Sequence, residues 1–208
     1  GDLPWSKIWK RKSLFATPRD KFTAVKLLYR NLYVARTHED PNERSCLACD
    51  DVESMLHLAE CDVLRQEFWN PILKLLQDTG MKPPRDITTF IVTGTIDPDS
   101  TISKYHSVIW YLAWRCLYAA IVKARIHDET LNLDKALKRA IAMLIGRLRA
   151  YGKRWKDWVH AGIHHKQPRI IPMKHRNKKL LTQDDIGNYE IHGAIWKLAT
   201  DLGLRSEN

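Results

Sequence analysis

The sequence of 208 residues predicts an all-α protein: a helical domain with an inserted Cys-Cys-His-Cys cluster, an antiparallel helical hairpin, and a basic C-terminal arm plus helix. Apolar residues recur at steps of three and four along most of the chain, as on one face of an α-helix. Helix-capping residues and helix-stopping Gly or Pro bound these stretches. The predicted parts are N-terminal helices around the cluster (1–80, cluster at 45–61), the hairpin (81–163), the arm (164–181) and the C-terminal helix (182–208).

The N-terminal part contains two helix signals. Thr17-Pro18-Arg19-Asp20 resembles a capping box with proline at the first helical position. A helix is also expected from about Asp62 to Thr79, where a glycine follows, and Pro71 predicts a kink or a split of its first turns. The helix after the capping box carries an apolar stripe of Phe22, Val25, Leu28, Tyr29, Leu32 and Tyr33.

The clearest helix of the sequence starts near Ile102 and carries two stripes, one of which contains Trp110, Trp114 and Tyr118. Two stripes predict a helix that is buried on most sides. Asn132 is a typical N-cap for the next helix. Because the loop between the two helices is short, we expect them to form an antiparallel hairpin.

The charge is strongly polarised, with a formal net charge of +10. Ser6–Arg36 has nine Lys/Arg against one acid, and Asp134–Lys179 has fourteen against two, whereas Thr37–Thr101 has five against thirteen. Two basic blocks indicate an anionic partner, and RNA is expected more than DNA. The alternative is a set of solvated helix faces. No apolar stretch is long enough to predict a membrane span.

The nucleic-acid contacts are expected from the second basic block, whose extended arm would neutralise phosphates. A solvated tail, or an arm docked on an acidic protein, is the alternative. The candidate contact residues are Arg147, Arg149, Lys153, Arg154, Lys156, Lys166, Arg169, Lys174, Arg176, Lys178 and Lys179.

The cluster has the spacing Cys46-x2-Cys49-x7-His57-x3-Cys61. Two cysteines two apart form one edge of a tetrahedral site, and ligands four apart project from one helical turn. Three thiolates and one imidazole predict a closed, structural zinc site. A Cys46–Cys61 disulfide is the alternative. The fourth cysteine, Cys116, lies on an apolar stripe and is expected in the core.

The run from Cys46 to Cys61, with Glu53 before the histidine and Trp69 on the next helix, resembles a known family. It is similar to the zinc-binding region C-terminal to the polymerase of non-LTR retrotransposon reverse transcriptases. The resemblance implies the four zinc ligands, with Glu53 and Trp69 as supporting positions. Four residues between His and Cys are commoner in that family than the three present here.

The expected function is a non-catalytic, zinc-stabilised module that binds RNA or DNA. The sequence has no aromatic-x-Asp-Asp motif, so the polymerase is not in this chain, and no enzyme is expected. The alternative is a structural subunit of a large assembly, such as an organellar ribosome. A first residue Gly1 indicates a fragment or a processed chain. The location is accordingly open, nuclear or cytoplasmic for a retroelement protein and mitochondrial for an assembly subunit.

Overall fold

The computed structural model describes residues 18–28, 34, 39–97, 100–102, 106–151 and 190–204. These parts are mostly helical and contain the Cys/His cluster, as the sequence predicts. The predicted arm, 164–181, lies outside the described residues. The elements are α1 (Pro18–Leu28), a 3-10 turn (Pro41–Arg44), α2 (His57–Glu60), α3 (Asp62–Leu64), a π-helical turn (Arg65–Trp69), α4 (Asn70–Asp78), α5 (Ile87–Thr93), β1 (Thr95–Asp97), β2 (Ser100–Thr101), α6 (His106–His127), α7 (Leu133–Tyr151) and α8 (Glu190–Asp201).

The helical stretch from α3 to α4 changes its hydrogen bonding just before Pro71. The Asn70 N–H donates to the Arg65 carbonyl, five residues earlier, in the π-helical turn. Proline has no N–H, and its ring clashes with the carbonyl four residues before it, so a wider turn accommodates it. The expected split at Pro71 is therefore a change of helical register. The stretch ends at Gly80, whose φ is 90°, a left-handed conformation typical of glycine after a helix.

The segment after α4 departs from an all-α fold at one point. Asp86 caps α5 by accepting a hydrogen bond from the Thr89 N–H. After α5, β1 and β2 pair antiparallel, with Thr95 opposite Thr101. The described part is thus mostly helical, with one short strand pair that was not predicted from the sequence.

Helix α6 forms the centre of the core. Every residue from His106 to Trp114 is buried, which confirms the prediction of a helix buried on most sides. The Trp110 and Trp114 Nε1–H groups both donate to the Ile91 carbonyl, at 2.9 and 2.7 Å. These bonds fix α5 against α6.

Helices α6 and α7 pack against each other. Cys116 is buried, and its Sγ lies 3.7 Å from Met143 Sδ, so it is the core residue that its position predicts. The predicted N-cap is also confirmed, since Asn132 Oδ1 accepts a hydrogen bond from the Lys135 N–H at 2.8 Å. No helix within the described ranges is long and apolar enough to cross a bilayer.

Helix α1 is anchored by a charge. Asp20 is fully buried, and its carboxylate accepts hydrogen bonds from Arg115 of α6, at 2.7 Å, and from Arg147 of α7. In contrast, Phe22 and Val25 of the predicted apolar stripe are 59% and 38% exposed. The ion pairs with Asp20 therefore decide which face of α1 turns inward.

Candidate metal centre

The side chains of Cys46, Cys49, His57 and Cys61 converge on one point. Their ligand atoms all lie within 4.8 Å of one another. Cys49 Sγ is 3.2 Å from His57 Nε2 and 3.5 Å from Cys61 Sγ. All four cysteines of the chain are free, so the alternative disulfide between Cys46 and Cys61 is not formed. The arrangement is compatible with a metal site.

The first two ligands lie in a tight loop. Ser45 and Val52 form an antiparallel bridge that closes it, and the Cys46 N–H donates to the Asp51 carbonyl at 2.6 Å. Asp50 has a φ of 63°, a left-handed conformation that aspartate adopts more readily than most residues. The Ala48 N–H lies 3.4 Å from Cys46 Sγ, where it can stabilise a thiolate.

The second two ligands come from one helical turn. His57 begins α2, and Cys61 follows directly after its end. The His57 N–H donates to Ser54 Oγ at 3.0 Å, which satisfies one of the free N–H groups at this helix start. Residues four apart on a helix share a face, so the local fold brings both side chains to the loop that holds Cys46 and Cys49.

A buried tryptophan supports the turn between His57 and Cys61. Trp69 Nε1–H donates to the carbonyl of Leu58, inside this turn, at 3.0 Å. The Trp69 ring is buried, and its centroid lies 4.8 Å from that of Trp114 in α6. The cluster is thereby tied directly to the apolar core.

A buried ion pair supports the other half of the cluster. Glu53 is only 1% exposed and accepts a hydrogen bond from Arg125 Nη2 at 2.9 Å. The same Nη2 donates to the Ser45 carbonyl at 2.8 Å. Since Ser45 directly precedes the first ligand, Arg125 holds the base of the metal loop against the end of α6.

The electrostatics of the loop require a cation if its thiols are to ionise. Burial raises the pKa of the Cys46 thiol to about 12, although the Ala48 N–H acts in the opposite direction. Burial also raises the pKa of Cys49. Because the thiolate is the form that binds metal, a bound divalent ion would supply the charge that offsets this desolvation.

Most of the predicted nucleic-acid contacts lie outside the described residues. Arg147 lies in α7, where its guanidinium pairs with the buried Asp20, and its side chain is only 11% exposed. Arg149 also lies in α7, but its side chain is outside the described part. The contacts that lie entirely outside the described residues are Lys153, Arg154, Lys156, Lys166, Arg169, Lys174, Arg176, Lys178 and Lys179.

The sequence patterns did not predict the roles of three residues that organise the site and its scaffold: Asp20, Arg115 and Arg125. Asp20 is part of the predicted capping box, whereas its carboxylate binds Arg115 and Arg147; a second signal is that it is the single acid within the basic segment Ser6–Arg36. Arg115 and Arg125 lie on an otherwise apolar helix, where a charge indicates either an exposed edge or a buried partner.

Comparisons with known proteins gave no relative, since no family model, no curated protein and no solved structure matches the chain.

Proposed function

We propose that the chain is a non-catalytic, zinc-stabilised module that binds RNA or DNA, with RNA preferred. The observation that carries this proposal is the charge, +10 in total, concentrated in two blocks on either side of an acidic segment. Phosphate backbones attract such surfaces through counterion release, which needs no particular base sequence. The metal cluster would hold the scaffold, and the basic residues would contact the phosphates.

Zinc is the ion that the donor set favours. Tetrahedral zinc, with Zn–S of about 2.3 Å and Zn–N of about 2.0 Å, holds its ligand atoms about 3.5 to 3.8 Å apart. The two contacts of Cys49, at 3.2 and 3.5 Å, are close to this spacing. All four ligand atoms lie within 4.8 Å of one another, so the widest separation needs to shorten by at most about 1 Å to match it.

The role proposed for the metal is structural. Four protein ligands occupy all coordination positions of a tetrahedral zinc ion, so no position remains for a substrate. The supports from Trp69 and from Arg125 fix the two halves of the cluster against α6. Zinc would thus join the loop of Cys46 and Cys49 to the helical turn of His57 and Cys61 and contribute folding energy there.

We also propose that this region is related to the zinc-binding region C-terminal to non-LTR retrotransposon reverse transcriptases. Support comes from Glu53 and Trp69, the two positions that the resemblance adds to the ligands. Trp69 donates a hydrogen bond to the Leu58 carbonyl, between the third and fourth ligands. Glu53 accepts one from Arg125, which also donates to the carbonyl of Ser45, next to the first ligand. The genomic reading frame on the N-terminal side of Gly1 tests this relationship. An aromatic-x-Asp-Asp polymerase motif in that frame is the expected result, and a frame without one contradicts it.

Salt dependence tests nucleic-acid binding directly. Affinities of the zinc-loaded chain for fluorescent single-stranded RNA, single-stranded DNA and duplex DNA are measured by anisotropy, from about 50 to about 200 mM salt. We expect the logarithm of affinity to fall linearly with the logarithm of salt concentration, most steeply for RNA. Absence of salt-sensitive binding to all three probes contradicts the proposal.

A charge-neutral arm identifies the contact residues. Replacing Lys166, Arg169, Lys174, Arg176, Lys178 and Lys179 by glutamine is expected to reduce the salt slope on single strands by up to about 4, since each lost phosphate contact removes about 0.7. The control replaces Lys74, Lys82 and Arg85, exposed cations of the acidic middle segment, by glutamine. An equal loss of slope per replaced residue in the two variants would show that only the total charge matters.

A second candidate function is that of a structural subunit in a larger assembly. The observation that favours it is an apolar surface on the metal loop, where Leu47, Val52 and Leu56 are 36%, 60% and 53% exposed. Several exposed apolar side chains within one short segment are typical of protein contact surfaces. Co-purification of the native chain in one stoichiometric complex, lost on Val52→Asp, would favour this function over free nucleic-acid binding.

A further inference from the structure

A groove of about 420 Å³ lies between α1 and α6. Helix α1 contributes Arg19, Phe22 and Lys26, and α6 contributes Ala119, Val122 and Ile126. Within each trio the residues are three and four apart, so each lies on one helix face over about two turns. The groove is therefore bounded by two adjacent helix faces, a geometry that receives a third helix.

The groove exposes apolar surface on both sides. Phe22 on α1 is 59% exposed, and Ile126 on α6 is 71% exposed, the largest value among the exposed large apolar residues of the described parts. Single exposed apolar residues are normal, but apolar residues gathered along one groove indicate a contact surface. The lining offers aliphatic side chains and the aromatic rings of Phe22 and Tyr118.

The groove is also uniformly basic. The described residues that line it include Arg19, Lys26, Arg115, Lys123 and Arg139, and no Asp or Glu. Arg115 is paired with Asp20, and Lys123 with Glu129. Arg19, Lys26 and Arg139 form no ion pair with a described acidic side chain, so among the described residues their positive charge at the rim has no acidic partner.

We propose that this groove binds an acidic amphipathic helix of a partner protein. Apolar side chains of that helix, three and four residues apart, would cover Phe22, Val122 and Ile126. Its Asp and Glu residues would face Arg19, Lys26 and Arg139. This function is separate from nucleic-acid binding and adds a protein partner to the module.

Two other occupants fit the groove less well. Single-stranded nucleic acid stacks its bases on exposed aromatic faces. One face of Phe22 has Lys26 Nζ over it at 4.8 Å, and Tyr118, the other aromatic ring of the lining, is partly buried against the apolar core. The chain's own segment 164–181 contains six Lys/Arg and no acid, so its charge repels a basic rim.

A selection experiment tests the proposal without a known partner. A display library of random peptides, long enough for three to four helical turns, is panned on the full zinc-loaded chain. Peptides that also bind the Ile126→Glu variant are removed by counter-selection. We expect the enriched peptides to have apolar residues at steps of three and four and more Asp/Glu than Lys/Arg.

Affinities of an enriched peptide then separate the groove from other surfaces. Ile126→Glu and Arg139→Glu are each expected to weaken binding about 10-fold or more. Leu204→Glu changes an exposed apolar residue that does not line the groove, and it is expected to leave binding unchanged. Thermal unfolding of each variant verifies the fold. If Ile126→Glu does not fold, the affinity of Arg139→Glu for the peptide tests the proposal instead.

Three results would overturn the proposal. The first is that panning enriches no peptide that depends on the groove. The second is that the enriched peptides lack the acidic amphipathic pattern. The third is that the same substitutions also weaken the binding of a single-stranded RNA oligonucleotide about 10-fold, which would assign the groove to nucleic acid.

Discussion

Arg125 Nη2 lies 2.9 Å from Glu53 Oε2 and joins the last turns of α6 to the segment between the second and third metal ligands. The two residues are 72 positions apart in the chain. Glu53 is almost fully buried, and the Arg125 side chain is 17% exposed. A charge pair in such surroundings is costly to leave incomplete, because the remaining charge has no water to solvate it.

Arg125→Met is therefore expected to destabilise the chain strongly. The substitution removes the guanidinium that donates to the buried Glu53 carboxylate, and loss of one member of a comparable buried pair costs about 3–5 kcal/mol. Urea unfolding of the zinc-loaded chain measures the change in unfolding free energy. The double variant Arg125→Met/Glu53→Leu is expected to recover part of the loss, since it removes both charges. Arg85→Met, at an exposed arginine, serves as the control and is expected to change little.

Metal binding is expected to depend on four residues and to be independent of the fourth cysteine. Cys61→Ser and His57→Ala each remove a ligand, so the bound zinc should fall from one ion per chain to well below one. Cys116→Ala is the matched control, because Cys116 is buried against Met143 and outside the cluster. Metal analysis of the purified variants gives the stoichiometry. One zinc per chain in Cys61→Ser would contradict the assignment.

Chelation is expected to unfold the metal loop before the helical core. In the loop before His57, residues 45–56, Cys46 is the one buried apolar side chain, whereas α6 is buried along most of its length. Hydrogen exchange with and without a chelator should show lost protection first at residues 45–61. Equal protection in both states would mean that the loop folds without metal.

The metal ligands could be predicted from the sequence because all four lie close together along the chain. Cys46 to Cys61 spans one loop and one helical turn, and the spacing itself specifies the geometry. The cap at Asn132 and the burial of α6 were predictable for the same reason, since caps and periodicity involve near neighbours. The predicted nucleic-acid contacts remain predictions, because most lie outside the described residues.

The anchoring of α1 could not be predicted in this way. Asp20 meets Arg115 and Arg147 across 95 and 127 positions, and no periodic pattern records such a pairing. The apolar stripe of α1 suggested that Phe22 and Val25 would be the buried side. The structure instead buries Asp20, because two arginines on α6 and α7 can neutralise it together.

Asp20→Asn is expected to destabilise the chain by about 3–5 kcal/mol, since it removes the buried negative charge that pairs with the mostly buried guanidinium groups of Arg115 and Arg147. Denaturant unfolding measures the loss. The control is Asp78→Asn, which breaks the exposed pair with Lys74 and is expected to cost no more than about 0.5 kcal/mol. Equal effects of the two substitutions would contradict an anchoring role for Asp20.

His106 is expected to make the fold sensitive to mild acid. Burial lowers the pKa of His106 to about 4 from an ordinary value of 6.5, and its Nε2 lies 3.0 Å from the Thr79 carbonyl. Between these two pH values the unfolded chain binds a proton that the folded chain does not, so stability falls as the pH drops from 6.5 towards 4. The full effect approaches about 3 kcal/mol, at 1.36 kcal/mol per pKa unit.

Since acid also protonates the metal ligands, the informative quantity is the difference in unfolding free energy between the native chain and His106→Gln at each pH. Glutamine keeps a hydrogen-bond donor but does not titrate, so the native chain should lose stability relative to the variant across this window. A difference that stays constant with pH would show that His106 does not titrate with the fold.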